Sequence, residues 1–239
     1  ILLKPMRAHQ FAAACLILSI MPLAQGRKLF LLPFGDDQLL GNQTAEGSSS
    51  RYLLRHMLMF DDHIVEYVGA SVDKDGLKHE CRKGMTPVPA DGRQADHIWK
   101  GYLEPLGWNA SLVLLGVHDC FKRSEVQQVM ESFSTLERMV EFLQEDGRKV
   151  FVGKLPPHPD TDINDCVQTF NGMIDEVFGG PLASEGSDVT IVDFDLDVRK
   201  DIDRTGLVPN KSGQEKMAGA WYAALTSWMR SPAAPRTEL

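Results

Sequence analysis

Cysteine is scarce in this chain, aromatic residues are few, and basic residues are outnumbered. Four cysteines in 239 residues rule out a disulfide-dense miniature scaffold, and their spacing matches no zinc motif. With 25 Lys and Arg against 33 Asp and Glu, the formal net charge is -8. An acidic surface repels a phosphate backbone, so no nucleic-acid partner is expected. No Ser/Gly/Pro-rich linker, low-complexity run or internal repeat divides the sequence, which argues for one globular domain. The longest Gly/Ser-containing stretch, GNQTAEGSSS, reads as a surface loop. The apolar run from Phe11 to Leu23 is too short to span a bilayer comfortably.

That run reads instead as an export signal. Lys4 and Arg7 precede it, and Ala24 to Gly26 supply small residues for cleavage. The expected organisation is a signal peptide over 1–26, a globular domain over 27–230 and a tail over 231–239. The protein is then secreted, with no membrane association after cleavage. Three N-glycosylation sequons, at Asn42, Asn109 and Asn210, agree with a secretory route. Cleavage removes Cys15 and leaves Cys81, Cys120 and Cys166. An odd number means one disulfide and one free thiol, or three free thiols.

What the sequence has in abundance is strand–helix alternation. RKLFLLPFG is a near-continuous apolar run stopped by Gly and Asp, the pattern of a strand buried on both faces. HIVEYVGA, SLVLLGV, KVFVGKLP and DVTIVDFD read as four more strands. SSSRYLLRHMLMF, with serines placed to cap it, is a helix between the first two. A long amphipathic helix, with Ser124 as its cap and Gly147 past its end, separates the third and fourth strands. TDINDCVQTFNGMIDEVF follows the fourth. The last helix carries Met217, Ala220, Trp221, Ala224, Leu225 and Trp228 in one stripe. The tryptophans, Trp99, Trp108, Trp221 and Trp228, read as core or helix-packing residues. Such alternation implies right-handed crossovers and a parallel sheet covered on both faces. Sites in these sheets form beyond the carboxyl ends of the strands. The loops to inspect are therefore GDDQLLG, HECRKGM, GVHDC, PPHPDTD and RTGLVPN.

In this order, those loops resemble the SGNH (GDSL-type) hydrolases, with the nearest likeness to carbohydrate esterase family 3 and related fungal acyl hydrolases. The likeness runs from about Leu29 to Met229. It implies an α/β fold: a three-layer α/β/α sandwich with a five-stranded parallel sheet, flavodoxin-like in order. Where the family has Gly-Asp-Ser, this chain has GDD. Where it has a Glu-Gly-His-x-Gly-Trp block, HECRKGM stands. For Gly-x-Asn-Asp there is GVHD, and for Asp-Gly-x-His-Pro-Asn there is TGLVPN. By this correspondence Asp37 takes the nucleophile position, Val208 the base, Thr205 the orienting aspartate and His118 the oxyanion asparagine. Gly84 alone keeps its family role as an amide donor.

The resemblance thus implies a fold without its usual chemistry. Val208 cannot accept a proton, and Asp37 puts an anion where an oxyanion must develop. Asp37 and His118 should lie within hydrogen-bond reach, as a general acid–base pair or as a polar filling of the old pocket. Gly84, Cys81, Arg82 and Val208 are the expected binding residues. His79, Cys81, Arg82 and Lys83 form a cationic loop that could hold a carboxylate or activate the Cys81 thiol, or simply be solvated. Asp36 and Asp119 read as capping and loop residues. Nothing in the spacing demands a metal or another cofactor.

Three functions follow. The first is a secreted pseudoenzyme that binds a saccharide or acylated small-molecule ligand, acting as a monomer. The second is a repurposed catalyst, an isomerase or cyclase type using Asp37 and His118. The third is a residual esterase whose base is His158 or Asp203. The family's sheet order also places Cys120 and Cys166 at one carboxyl edge, with Cys81 on the far side of the first strand. A Cys120–Cys166 disulfide with Cys81 free is the pairing so implied.

Overall fold

The structure is a computed structural model and describes residues 26–41, 49–87, 107–122, 126–180 and 189–231. The expected signal peptide up to residue 25, Ser124, Asn42, Trp99 and nearly all of the tail lie outside them. Strands β1 (Lys28–Gly35), β2 (Ile64–Tyr67), β3 (Ser71–Val72), β4 (Lys78–Cys81), β5 (Ala110–Leu114), β6 (Lys149–Gly153) and β7 (Val189–Val192) form one sheet. The helices are α1 (Asp37–Leu40), α2 (Ser50–Phe60), α3 (Val117–Lys122), α4 (Val126–Gln144), α5 (Thr161–Ile174) and α6 (Lys211–Arg230). Helices α2 and α6 pack together as one layer, and α3, α4 and α5 as the other. Leu31, Leu32 and Phe34 of β1, Phe151 of β6, Phe170 of α5 and Trp221 of α6 are fully buried between them. Ser49 caps α2 by accepting from the Tyr52 amide, as its position ahead of the apolar stripe foretells.

The sheet departs from five strands in one place. β2 and β4 both pair in parallel with β1, β2 along Lys28–Leu31 and β4 along Phe34–Gly35. β2 is the expected second strand, and β4, in a segment expected to be a loop, continues the same parallel edge of the sheet after an excursion. At Gly69 the chain turns out of the sheet with φ of +144°, where a Cβ would fall 2.4 Å from the His79 carbonyl carbon. It then runs as β3, turns, and returns antiparallel as β4. Asp73 builds the turn, accepting from the Asp75 and Leu77 amides, and pairs with the buried Arg51 guanidinium at 2.7 Å. The buried Glu80 carboxylate accepts from the Ala70 amide. HECRKG is therefore not a loop throughout, since its first half is sheet. With β2 and β4 counted together, the parallel order is second, first, third, fourth, fifth.

Cys120 of α3 and Cys166 of α5 are bridged, with Cα atoms 5.6 Å apart, and Cys81 is free. Ser132 of α4 donates to Asp119 at 2.5 Å, so α3 is held from both sides. Asn210 caps α6 and donates both amide protons, to the Lys200 and Ile202 carbonyls. A glycan on that nitrogen would remove one of these protons and disrupt the two donor bonds, whereas the cap itself is made by Oδ1, which accepts from the Gly213 amide. Asn109 hydrogen-bonds Phe30 and Lys28 across the sheet. Among the described residues, no helix is long and apolar enough to cross a membrane.

Two stability tests follow. Asp73→Asn keeps the turn acceptor but removes the charge facing Arg51, and an uncompensated buried guanidinium costs about 3–5 kcal/mol. Urea unfolding should show this loss, with recovery in a double variant that also replaces Arg51 by methionine. Reducing the Cys120–Cys166 bridge, at a sequence separation of 46, should cost about 4 kcal/mol in the chain-entropy picture. Calorimetry with and without reductant reads it directly.

Candidate functional site

The sheet brings three loops to one point. Gly35 ends β1, with Cys81 of β4 beside it on one side and Leu114 of β5 on the other. The chains leaving these neighbours deliver Gly84, Asp37 and His118. Asp36 caps α1 by accepting from the Gln38 amide at 2.9 Å, which turns the chain sharply and sets Asp37 at the first helical position. His118 is the second residue of α3.

Asp37 and His118 are in contact. His118 Nε2 lies 2.7 Å from Asp37 Oδ2. An ionised carboxylate can only accept, so Nε2 carries the proton. The Gly84 amide donates to the same oxygen, also at 2.7 Å. Both side chains are nearly buried, at 12% exposure for Asp37 and 11% for His118. Among the described residues Asp37 Oδ1 has no hydrogen-bond partner, yet it is not among the sealed polar atoms, so it meets solvent.

The two adjacent carboxyls titrate in opposite senses. Burial pushes Asp37 up, but the His118 hydrogen bond, the Gly84 amide and the Lys83 charge outweigh it and hold the group below its ordinary 3.8. Asp36 is wholly buried with Oδ2 unpartnered, and burial dominates there, pushing it up to about 7 against the Gln38 and Gly116 amides.

The other expected residues scatter. Cys81 is 3% exposed, and burial pushes its thiol up to about 12, so it is neither activated nor available to a ligand. This corrects its assignment as a binding residue: it lies on β4, facing the core. His79, also on β4, is buried and its Nδ1 accepts from the Cys81 amide. Burial and then the Arg51 charge push it down to about 4. Only Arg82 and Lys83 of that segment are exposed. Val208 is half-buried, its carbonyl accepting from the Asp203 amide. Asp203 Oδ1 is occupied by the amide and hydroxyl of Thr205. His158 Nδ1 accepts from the Asp160 amide, which leaves the proton on Nε2. That Nε2 is sealed, packed so closely on Gly206 that a Cβ there would stand 2.2 Å away. Among the described residues no three metal-ligating acids, histidines or cysteines cluster.

Sequence reasoning missed Phe121. It sits one helical turn after His118, with ring centroids 5.9 Å apart, and is 40% exposed. His158 meets it at 5.0 Å with an interplanar angle of 87°. The i, i+3 spacing on a helix following a strand was the one available signal.

A raised folded-state pKa contributes stability that is complete below the unfolded value and is lost as pH rises through the folded one. For Asp36 that window runs from 3.8 to about 7. Asp36→Asn keeps an acceptor for Gln38 and removes the titration. Its stability relative to the unaltered protein should therefore rise across this window, as read by denaturant melts at stepped pH. The depressed Asp37 works the other way: its contribution is present above 3.8 and is lost as pH falls below that value.

No family model matches the chain, and no curated protein matches it in sequence. Solved structures do match. The Clostridium thermocellum family 3 carbohydrate esterase is 19% identical, with a TM-score of 0.65 over 86% of this chain and 99% of that one. A carbohydrate esterase family 3 structure from Talaromyces cellulolyticus is 16% identical, with a TM-score of 0.66 over 84% and 98%. A member of the lipolytic protein G-D-S-L family from Veillonella parvula is 15% identical, with a TM-score of 0.58 over 86% and 100%. The arrangement of strands, loops and helices built above is therefore the fold that carbohydrate esterase family 3 and the G-D-S-L lipolytic proteins share.

Proposed function

We propose that this is a secreted, monomeric ligand-binding protein on an esterase fold, a pseudoenzyme that binds a saccharide or acylated small molecule without hydrolysing it. The observation that carries the reading is the saturation of Asp37 Oδ2 by the Gly84 amide and His118 Nε2. In the family pattern, a glycine amide and an asparagine amide at these positions hold the reaction's oxyanion. Here both donors are spent on a resident carboxylate, so an acyl transition state would find neither of them free and a negative charge beside it. Several kcal/mol of transition-state stabilisation would be missing. The carbohydrate esterases among the structural neighbours support a small carbohydrate or acyl ligand. The Cys120–Cys166 bridge supports export, with residues 1–26 as the signal.

The 2.7 Å contact also favours the second reading, in which Asp37 and His118 move a proton on a substrate. Its weakness is the direction of the Asp37 shift. A general base works best with a pKa near the operating pH, and Asp37 is held below the ordinary carboxylate value. Binding therefore ranks ahead of proton transfer.

The purified protein should release no acetate from acetylated sugars and no chromophore from aryl acetates above the buffer rate. A clear rate abolished by a serine-directed fluorophosphonate overturns the proposal. The converse is a rebuilt site: Asp37→Ser, Val208→His and Thr205→Asp for the triad, with His118→Asn for the oxyanion donor. Measurable esterase activity in that quadruple variant is the expected outcome.

A further inference from the structure

Resting on that reading, we propose that Asp37 and Phe121 form a subsite for a neutral, unesterified saccharide, in which a sugar hydroxyl donates to Asp37 Oδ1 and an apolar sugar face covers the Phe121 ring. The polarity of the site decides the ligand class. With Oδ2 doubly held, the atom left to a ligand is Oδ1, a carboxylate oxygen that only accepts. An acyl carbonyl is itself an acceptor. Replacing a hydroxyl by an acetyl ester removes the donor and adds a carbonyl oxygen, a further acceptor, facing an anion. A carboxylate or phosphate ligand meets the Asp37 charge directly. A cationic ligand meets Lys83, whose charge already acts on that carboxylate. Neutral hydroxyl donors are the class that none of these terms opposes.

The surroundings supply the rest of a saccharide's surface. Sugars pair hydroxyl edges with faces of C–H groups, and binding sites answer with a few polar anchors beside an aromatic plane. Phe121 presents such a plane: it is 40% exposed and its ring lies 5.9 Å from that of His118, the residue hydrogen-bonded to Asp37. The near-perpendicular His158 ring packs against it at 5.0 Å. His158 is in turn held by the Asp160 amide and, through its own amide, by Asn164. The Phe121 ring is thus braced by a side chain that is itself held in place. Among the described residues, a Cβ at Gly84 would meet nothing within 4 Å.

Xylotetraose and cellotetraose, each with free hydroxyls and each O-acetylated, are titrated into the full purified protein. Binding is read by saturation-transfer NMR and calorimetry, and free acetate is assayed in parallel. The free tetrasaccharides should bind at least about tenfold more tightly than the acetylated ones, the difference expected for one hydrogen bond to a charged acceptor. Phe121→Ala should weaken the free form by roughly tenfold with the melting temperature unchanged, and Phe121→Trp should restore it. Asp37→Asn should erase the preference for free hydroxyls. Equal or tighter binding of the acetylated forms, no binding of either, or an affinity indifferent to Phe121→Ala overturns the proposal. The two levels separate cleanly. Release of acetate sinks the non-hydrolytic reading itself, whereas equal binding without release sinks only the hydroxyl preference.

Discussion

Three strand ends in register create the one point on which the site depends. Cys81, Gly35 and Leu114 lie side by side at the carboxyl edge of β4, β1 and β5. Gly84 and His118, which hydrogen-bond Asp37, arrive on the chains leaving Cys81 and Leu114. The carboxylate sits where a backbone amide from one loop and an imidazole from another converge, 2.7 Å from each. A charge nearly removed from water needs such donors, and this one has both on a single oxygen. Holding them in place takes much of the surrounding structure. The Arg51–Asp73 pair anchors the excursion between β2 and β4, from which the chain runs on toward Gly84. The Cys120–Cys166 bridge and the Ser132–Asp119 hydrogen bond clamp the short helix that carries His118.

The same convergence inverts the polarity of the site. Donors aimed outward make a hole for an anion; donors satisfied by a resident anion leave an acceptor on the surface. Asp36 and Asp37 are neighbours in sequence, yet burial dominates one and partners dominate the other, so the fold holds the first toward neutrality and the second ionised. That split follows from orientation. Asp36 turns inward to cap α1 and leaves an oxygen unpartnered, while Asp37 turns toward the two donors. A binding role fits a carboxylate whose basicity is lowered, and the exposed ring of Phe121 beside it gives that role an apolar face.

By itself the sequence determined the fold class. Apolar runs stopped by Gly-Asp and alternating with capped amphipathic helices have few solutions other than a covered parallel sheet, and the ordered loop blocks specified which one. The resemblance those blocks carry also implied, through the family's strand order, that Asp37, His118 and Gly84 leave neighbouring strands and that Cys120 can reach Cys166. Tertiary structure alone decided the rest. The excursion between β2 and β4 turns on Gly69 and on a buried ion pair between residues far apart in the chain. It put Cys81 into the core when position in a loop-like motif suggested a reactive thiol. Burial closed off His158, and packing of a ring on α3 against His158 turned Phe121 into a candidate contact. Local pattern encodes direction and period along the chain, whereas exposure, hydrogen-bond saturation and desolvation depend on what packs against a residue from elsewhere. That is why the sequence named the residues that meet and left to the fold which of their atoms remain free.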